Sequence, residues 1–220
     1  MRLLPTVGAM LLASASVVCG GDPRGAQTRT PPPQPRDASA APSPTAVTAD
    51  SDSLLGRAMP QWQVAAWANT QPLTLADLRG SVVVVRFWTN TCPYCEASMP
   101  ALVALASQFA DRPVVFVGLY HAKPRDRPGA WQDAQKIARD WGVTFALGHD
   151  KDWATLRSWW LSTGDRAATS ATIVLGTQGE VIHVHPGPVY FPSDDPKHAE
   201  ENRAFVALRD AVSRGLPNSD

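Results

Sequence analysis

Residues 82–95 read VVVVRFWTNTCPYC, and this stretch decides the fold. The β-branched, apolar run from Val82 to Phe87 is typical of a strand that is buried on both faces. The residues that follow, Glu96 to Phe109, have the pattern of a helix. The sequence therefore predicts a central strand that leads through a short loop into a helix.

Two cysteines, Cys92 and Cys95, stand at the start of this helix with Pro93 and Tyr94 between them. Cysteines at this spacing can close a small disulfide ring. The first sulfur faces unpaired backbone N–H groups and the positive end of the helix dipole, which favour a thiolate. A strand, then Trp88, a CxxC pair and a helix, in that order, predict thiol–disulfide exchange.

A metal site is the rival interpretation of any CxxC pair. Structural zinc needs four ligands, and this chain has three cysteines, of which Cys19 lies far upstream. His183 and His185 alternate on a predicted strand, so they would share one face. The ligand count favours redox chemistry over a metal site, and we expect no bound metal.

The composition excludes one class of partner. Twenty basic and twenty acidic side chains give a net charge near zero, whereas nucleic-acid-binding proteins usually show a basic face. We therefore expect no nucleic-acid partner.

Residues 1–19 have the pattern of a secretory signal, with Arg2 ahead of an apolar run that is short for a membrane span. Two processing routes stay open. Ala13-Ser14-Ala15 offers a site for ordinary signal peptidase, and Cys19-Gly20-Gly21 resembles the lipidated cysteine of a bacterial lipoprotein. Val18 departs from the small residue usual before that cysteine. Either route exports the chain to the periplasm, where disulfide chemistry is routine. The first would leave it free and the second would tether it to a membrane through Cys19.

Residues 20–52 are rich in proline, alanine, serine and threonine and have little to bury. We expect a disordered linker here. A folded domain is expected over residues 53–216, with a short disordered tail at 217–220.

Within that domain, strand and helix patterns alternate. The predicted strands are Trp62–Trp67, Val82–Phe87, Val114–Leu119, Phe145–Leu147, Thr172–Leu175 and Val181–His185, and the last two form a hairpin. The predicted helices are Cys95–Phe109, Ala130–Trp141, Asp152–Trp160 with Asp152 as N-cap, and Glu200–Arg214. This order implies an α/β fold, a mixed central sheet with helices on both faces.

At this point the chain resembles the thioredoxin superfamily. More closely, it is similar to the exported TlpA-like, or redoxin-domain, thiol–disulfide oxidoreductases. The resemblance covers roughly Leu54 to Arg214 and is strongest over residues 78–95. Pro100 falls where the family kinks its active-site helix, and residues 172–182 match the family's hairpin. The resemblance implies a thioredoxin-like fold.

The resemblance also implies residue roles. Cys92 would attack a substrate disulfide, Cys95 would resolve the mixed disulfide, and the two would form the redox-active disulfide. Trp88 would pack beside the sulfur pair, and Pro93 and Tyr94 complete its environment.

Ser170 departs from the family pattern. The family has a cis-proline two residues before the hairpin threonine, facing the disulfide, and here Ser170 follows Thr169 at that position. A cis bond before a non-proline residue costs about 2.5–4 kcal/mol. We therefore expect a trans bond before Ser170.

Arg86 is the second departure, since many thioredoxins have a buried aspartate there as proton acceptor for the resolving thiol. Arginine stays protonated and cannot take that proton. Two interpretations follow: Arg86 points toward the sulfurs and stabilises a thiolate, or it extends to the surface. We expect the first, because an arginine in a buried strand needs a partner.

Two other polar residues lie near the cysteines. Glu96 is a possible proton acceptor, although a first-turn acid stabilised by the helix dipole is the simpler interpretation. His121 ends a predicted strand near the active-site edge, where histidines are more often solvated than catalytic.

The sequence thus predicts an extracytoplasmic oxidoreductase that reduces protein disulfides and needs no organic cofactor. Its expected partners are a protein disulfide substrate and a membrane electron donor. Two alternatives remain. One is a Cu(I)-binding chaperone or sensor using the cysteines with His183 or His185. The other is a peroxide-reducing redoxin using Arg86 and Thr169.

Overall fold

The computed structural model describes residues 52–123, 130–166 and 168–217. The predicted signal at 1–19, the linker up to residue 51 and the last three residues of the tail lie outside this range. Cys19 is therefore among the residues that are not described. No helix in the described ranges is both long enough and apolar enough to cross a membrane.

Six strands form one mixed sheet in the order β1-β4-β3-β2-β5-β6. The central strand β2 pairs in parallel with β3 and antiparallel with β5, and β3 pairs in parallel with β4. The strands are β1 (Ala66–Ala68), β2 (Val82–Trp88), β3 (Val114–Tyr120), β4 (Ala146–His149), β5 (Thr172–Leu175) and β6 (Val181–His185).

The helices lie close to the predicted positions. They are α1 (Pro93–Gln108), α2 (Ala130–Asp140), α3 (Ala154–Leu156) and α4 (Ala199–Gly215). A π-helical turn, Arg157–Leu161, continues α3. The predicted α/β fold with a mixed sheet is confirmed.

Two local predictions were wrong. The strand expected at Trp62–Trp67 is reduced to β1, because Trp62 instead turns inward, donates its indole N–H to the Leu73 carbonyl at 2.7 Å and stacks on Trp159. Asp152 does not cap α3. The residue before that helix is Trp153, in the left-handed region at φ 59°.

Two hydrophobic clusters cover the two faces of the sheet. Val82, Val84 and Trp88 belong to the cluster that includes α1 and α4, whereas Val83, Val85 and Phe87 belong to the other, which includes Trp62 and Trp159. Side chains alternate between faces along a strand, so Arg86 faces α1, as Val84 and Trp88 do. This alternation brings an arginine to the face where the cysteine-bearing helix packs.

Candidate active site

Cys92 and Cys95 lie where β2 leads into α1. Cys92 is the N-cap of the helix, and its carbonyl accepts the N–H groups of Cys95 at 3.0 Å and Glu96 at 3.2 Å. Pro93 occupies the first helical position, which has no intrahelical N–H bond to lose. Both cysteines are reduced, with Cys92 partly exposed and Cys95 buried. The sequence thus places the Cys92 sulfur near the surface and the Cys95 sulfur one helical turn further in.

The two thiols differ sharply in acidity. The hydrogen bond from the Cys95 thiol is the main cause that lowers the pKa of Cys92 to about 5; the Ser170 hydroxyl contributes to this lowering, and burial opposes it. The same bond and burial raise the pKa of Cys95, whereas the positive charge of Arg86 lowers it. The first thiolate therefore forms on Cys92 and is held by the Cys95 thiol.

Ser170 lies against both sulfurs. Its hydroxyl oxygen is 3.9 Å from Sγ of Cys92 and 3.6 Å from Sγ of Cys95, within hydrogen-bond distance for sulfur. Ser170 is almost fully buried. Within the described ranges Gly187–Pro188 is the one cis peptide bond, so the bond before Ser170 is trans, as expected.

Arg86 is only 1% exposed and does not extend to the surface. One terminal nitrogen, Nη1, donates to the carbonyl of Ser170 and to the hydroxyl of Thr172 at 3.2 Å. The other, Nη2, donates to the Pro188 carbonyl at 2.7 Å. The guanidinium also lies 5.1 Å from the centre of the Tyr190 ring. These contacts hold the Arg86 guanidinium on the side of the site where Cys95 lies.

Sequence reasoning missed the residues that surround Arg86. Strand register places Arg86 opposite Thr172, and Thr172 opposite His185, so the three form a row across β2, β5 and β6. Tyr190 closes this row: it packs edge-on against His185, and its hydroxyl accepts from Thr172 at 3.3 Å. A period-2 pattern shows which face a residue takes but not which residues align across strands, so the sequence carried no signal for this row.

The other predicted site residues lie at different depths. Trp88 is fully buried in the same cluster as Cys95, whereas Tyr94 is 49% exposed beside the sulfur pair and Glu96 is exposed. Thr169 is partly buried, and its hydroxyl accepts from Lys123 at 2.7 Å. Glu96 thus faces solvent as a first-turn acid.

His121 corrects a prediction. It is fully buried rather than solvated, and burial first, then the charges of Lys123 and Arg86, lower its pKa to about 3. It packs edge-on against Trp153. It is therefore a neutral imidazole inside the fold.

The geometry of the site does not support the two alternative functions, Cu(I) binding and peroxide reduction. Among the described residues there is no group of three or more histidine, cysteine or acidic side chains placed to share a metal ion. Burial lowers the pKa of His183, and His185 packs on Tyr190. For the peroxide-reducing alternative, the Thr169 hydroxyl is engaged by Lys123, and Arg86 acts on Cys95.

Comparison with known families agrees with this geometry. Residues 55–184 match the AhpC/TSA family, which is more than half of the chain. The chain belongs to the AhpC/TSA family. The fold is also similar to that of a thiol:disulfide interchange protein of the thioredoxin family from Chlorobium tepidum, with a TM-score of 0.55 and 17% identity. That match covers 73% of this chain and 96% of the other. The expected thioredoxin-like fold is confirmed.

Two curated relatives are similar to part of the chain. Protein DipZ of Mycobacterium bovis is 26% identical over 126 residues, which is 55% of this chain and 17% of DipZ. The thiol-disulfide oxidoreductase ResA of Halalkalibacterium halodurans is 25% identical over 117 residues, 53% of this chain and 60% of ResA. The chain thus spans less than two thirds of each relative. The redoxin-type resemblance expected from residues 78–95 is confirmed.

Proposed function

We propose that this chain is a thiol–disulfide oxidoreductase that reduces protein disulfides, with Cys92 as nucleophile and Cys95 as resolving thiol. The observation that carries the proposal is the placement of the two cysteines: Cys92 is partly exposed at the N-cap of α1, and Cys95 is buried one turn further in. In this arrangement the thiol of Cys95 lowers the pKa of Cys92 to about 5. At neutral pH Cys92 is then mostly thiolate, the reactive form in exchange. The buried partner thiol one turn away is ready for the second step.

In the first step the Cys92 thiolate attacks one sulfur of a substrate disulfide. A bond forms between Cys92 and that sulfur, and the other substrate sulfur leaves as a thiolate, which takes a proton from solvent. The partial exposure of Cys92 and the exposed ring of Tyr94 leave room for a protein chain to approach.

In the second step Cys95 loses its proton and attacks Cys92. The Cys92–Cys95 disulfide forms, the bond to the substrate breaks, and the reduced substrate departs. Two electrons have passed from the two cysteines to the substrate, so no organic cofactor is needed. A membrane electron donor must then return the pair to the dithiol form.

The proposal also includes export. The signal pattern at residues 1–19 and the proline-rich linker favour a domain outside the cytosol, tethered through a lipid on Cys19 or released after cleavage. Mass spectrometry of the mature N-terminus distinguishes the two, with Cys19→Ala as control. A chain that begins at a lipidated Cys19 supports the tether, and an unmodified N-terminus at Ser16 supports a free periplasmic protein. A full-length, unprocessed chain contradicts export.

Turnover tests the catalytic proposal. The chain is mixed with insulin and dithiothreitol, and insulin reduction is followed by its precipitation. We expect acceleration over dithiothreitol alone, and Cys92→Ser should abolish it. No acceleration, together with stoichiometric Cu(I) uptake that blocks thiol titration, would favour the metal-binding alternative instead.

A further inference from the structure

Arg86 is a buried cation for which the described residues supply no counter-charge. It donates to the carbonyls of Ser170 and Pro188 and to the Thr172 hydroxyl, all of them uncharged acceptors. Within the described ranges no carboxylate forms an ion pair with it. An unpaired buried charge is costly, so a protein that keeps one usually has a use for it.

The titratable groups that surround Arg86 do not supply the missing charge. Burial and nearby positive charge lower the pKa of His121, at the end of β3, and of His185, on β6, each to about 3, so both imidazoles are neutral at pH 7. Burial raises the pKa of Tyr190, which keeps the phenol neutral too. On α1, among the described residues, the ionisable group that the Arg86 charge acts on is the thiol of Cys95, whose sulfur contacts the Ser170 hydroxyl while Arg86 binds the Ser170 carbonyl.

We propose that Arg86 is a positioning residue whose fixed charge stabilises the thiolate of Cys95 during the resolving step. This inference rests on the proposed exchange chemistry. In that chemistry Arg86 takes the place of the buried proton acceptor that the resemblance to thioredoxins implies. The charge lowers the pKa of the Cys95 thiol, against burial and the bond to Cys92, which raise it. Anchoring by two carbonyls on separate segments holds the guanidinium in place before the thiolate forms, so no reorganisation is needed then.

The proton balance explains why a cation suits this position. While Cys92 is bound to substrate it no longer accepts the Cys95 hydrogen bond, and Cys95 must ionise before it attacks. Its proton passes to solvent, its sulfur bonds to Cys92, and the substrate sulfur leaves with the electron pair of the broken bond. Arg86 takes no proton in this sequence, since it is charged throughout.

The test separates the two steps with the chromogenic disulfide DTNB. Attack by Cys92 releases one thionitrobenzoate, and attack by Cys95 on the resulting mixed disulfide releases a second. Stopped-flow absorbance follows both phases over a range of pH. We expect Arg86→Gln to slow the second phase roughly tenfold or more and to move its pH midpoint upward, with little change in the first phase.

Three further variants sharpen the result. Arg86→Lys keeps the charge and should retain more of the second-phase rate than Arg86→Gln. Arg86→Met leaves no unpaired amide in the fold and should behave kinetically as the glutamine variant does, which keeps the test usable if Arg86→Gln folds poorly. Arg139→Gln removes an exposed arginine from α2 and should change neither phase.

Two outcomes overturn the inference. One is an unchanged second phase in a folded Arg86→Met or Arg86→Gln protein. The other is equal slowing in the lysine and glutamine variants with an unmoved pH midpoint, which would make Arg86 a structural clamp only. Failure of the proposed function would look different, because a chain without exchange activity lacks the first phase even before Arg86 is altered.

Discussion

The hydroxyl oxygen of Ser170 lies 3.9 Å from the sulfur of Cys92. The resemblance to the thioredoxin superfamily implies a proline at this position, facing the disulfide. Proline offers no hydrogen-bond donor, whereas serine offers a hydroxyl and a backbone N–H. A thiolate gains more from such donors than a disulfide sulfur does. We therefore expect the serine to favour the reduced form of the site.

Replacing Ser170 with proline should lower the reduction potential of the Cys92–Cys95 pair and make the protein a stronger reductant. Each fall of about 30 mV corresponds to roughly 1.4 kcal/mol. Redox titration against a dithiothreitol buffer measures the shift. Ser170→Ala, which removes the hydroxyl alone, should fall between wild type and the proline variant. An equal or higher potential in Ser170→Pro, with circular dichroism unchanged, would show that this residue does not tune the pair.

The acidity of Cys92 should depend on the thiol of Cys95, since that hydrogen bond is the main cause of the lowered pKa. Cys95→Ala removes the donor and should raise the Cys92 pKa, whereas Cys95→Ser keeps a hydroxyl donor and should raise it less. Thiolate absorbance at about 240 nm, followed during acid titration, gives both values. Equal pKa values in the two variants would instead point to the helix start as the main cause.

The reduced protein should gain stability relative to the oxidised protein as pH rises. The Cys92 pKa falls from an ordinary 9.0 to about 5 on folding, so the unfolded chain binds more protons between these values. The gain is complete near pH 9 and lost as pH falls through about 5, with a slope approaching 1.4 kcal/mol per pH unit. Urea unfolding of both redox forms from pH 4 to 9 measures it. A constant difference across this range would contradict the assigned acidity.

Asp150 should stabilise α3. Its fully buried carboxylate accepts the N–H groups of Thr155 at 3.2 Å and Leu156 at 2.7 Å. Asp150→Ala leaves these donors without that partner and should cost about 2 kcal/mol of unfolding free energy. The matched control is Asp152→Ala, two residues on and exposed, which should cost under about 0.5 kcal/mol. Urea unfolding at pH 7 compares them, and equal losses would argue against Asp150 as the cap.

Local pattern was sufficient for the parts of the molecule that depend on neighbouring residues. The four valines from Val82 to Val85 specify a buried strand, and the cysteine spacing with Pro93 specifies a reactive helix start. The trans peptide bond before Ser170 could also be predicted from the sequence, because a cis bond before a non-proline residue is costly.

The sequence did not show which residues from distant parts of the chain would come into contact. The row of Arg86, Thr172 and His185 depends on the register of three strands, which burial fixes only when the whole sheet assembles. His121 looked like a solvated edge residue because its covering partner, Trp153, lies 32 residues further along the chain. The capping role of Asp150, rather than Asp152, follows from the left-handed backbone at Trp153, which no local motif signalled.

The central claim is that Cys92 attacks and Cys95 resolves, and trapping the mixed disulfide tests it most directly. Cys95→Ser and Cys92→Ser proteins are each incubated with native insulin, whose disulfides are intact, and are then analysed by peptide mass spectrometry. The account predicts a stable covalent adduct through Cys92 in the Cys95→Ser protein and little or none in the Cys92→Ser protein. An adduct formed mainly through Cys95, or none in either variant, would contradict it.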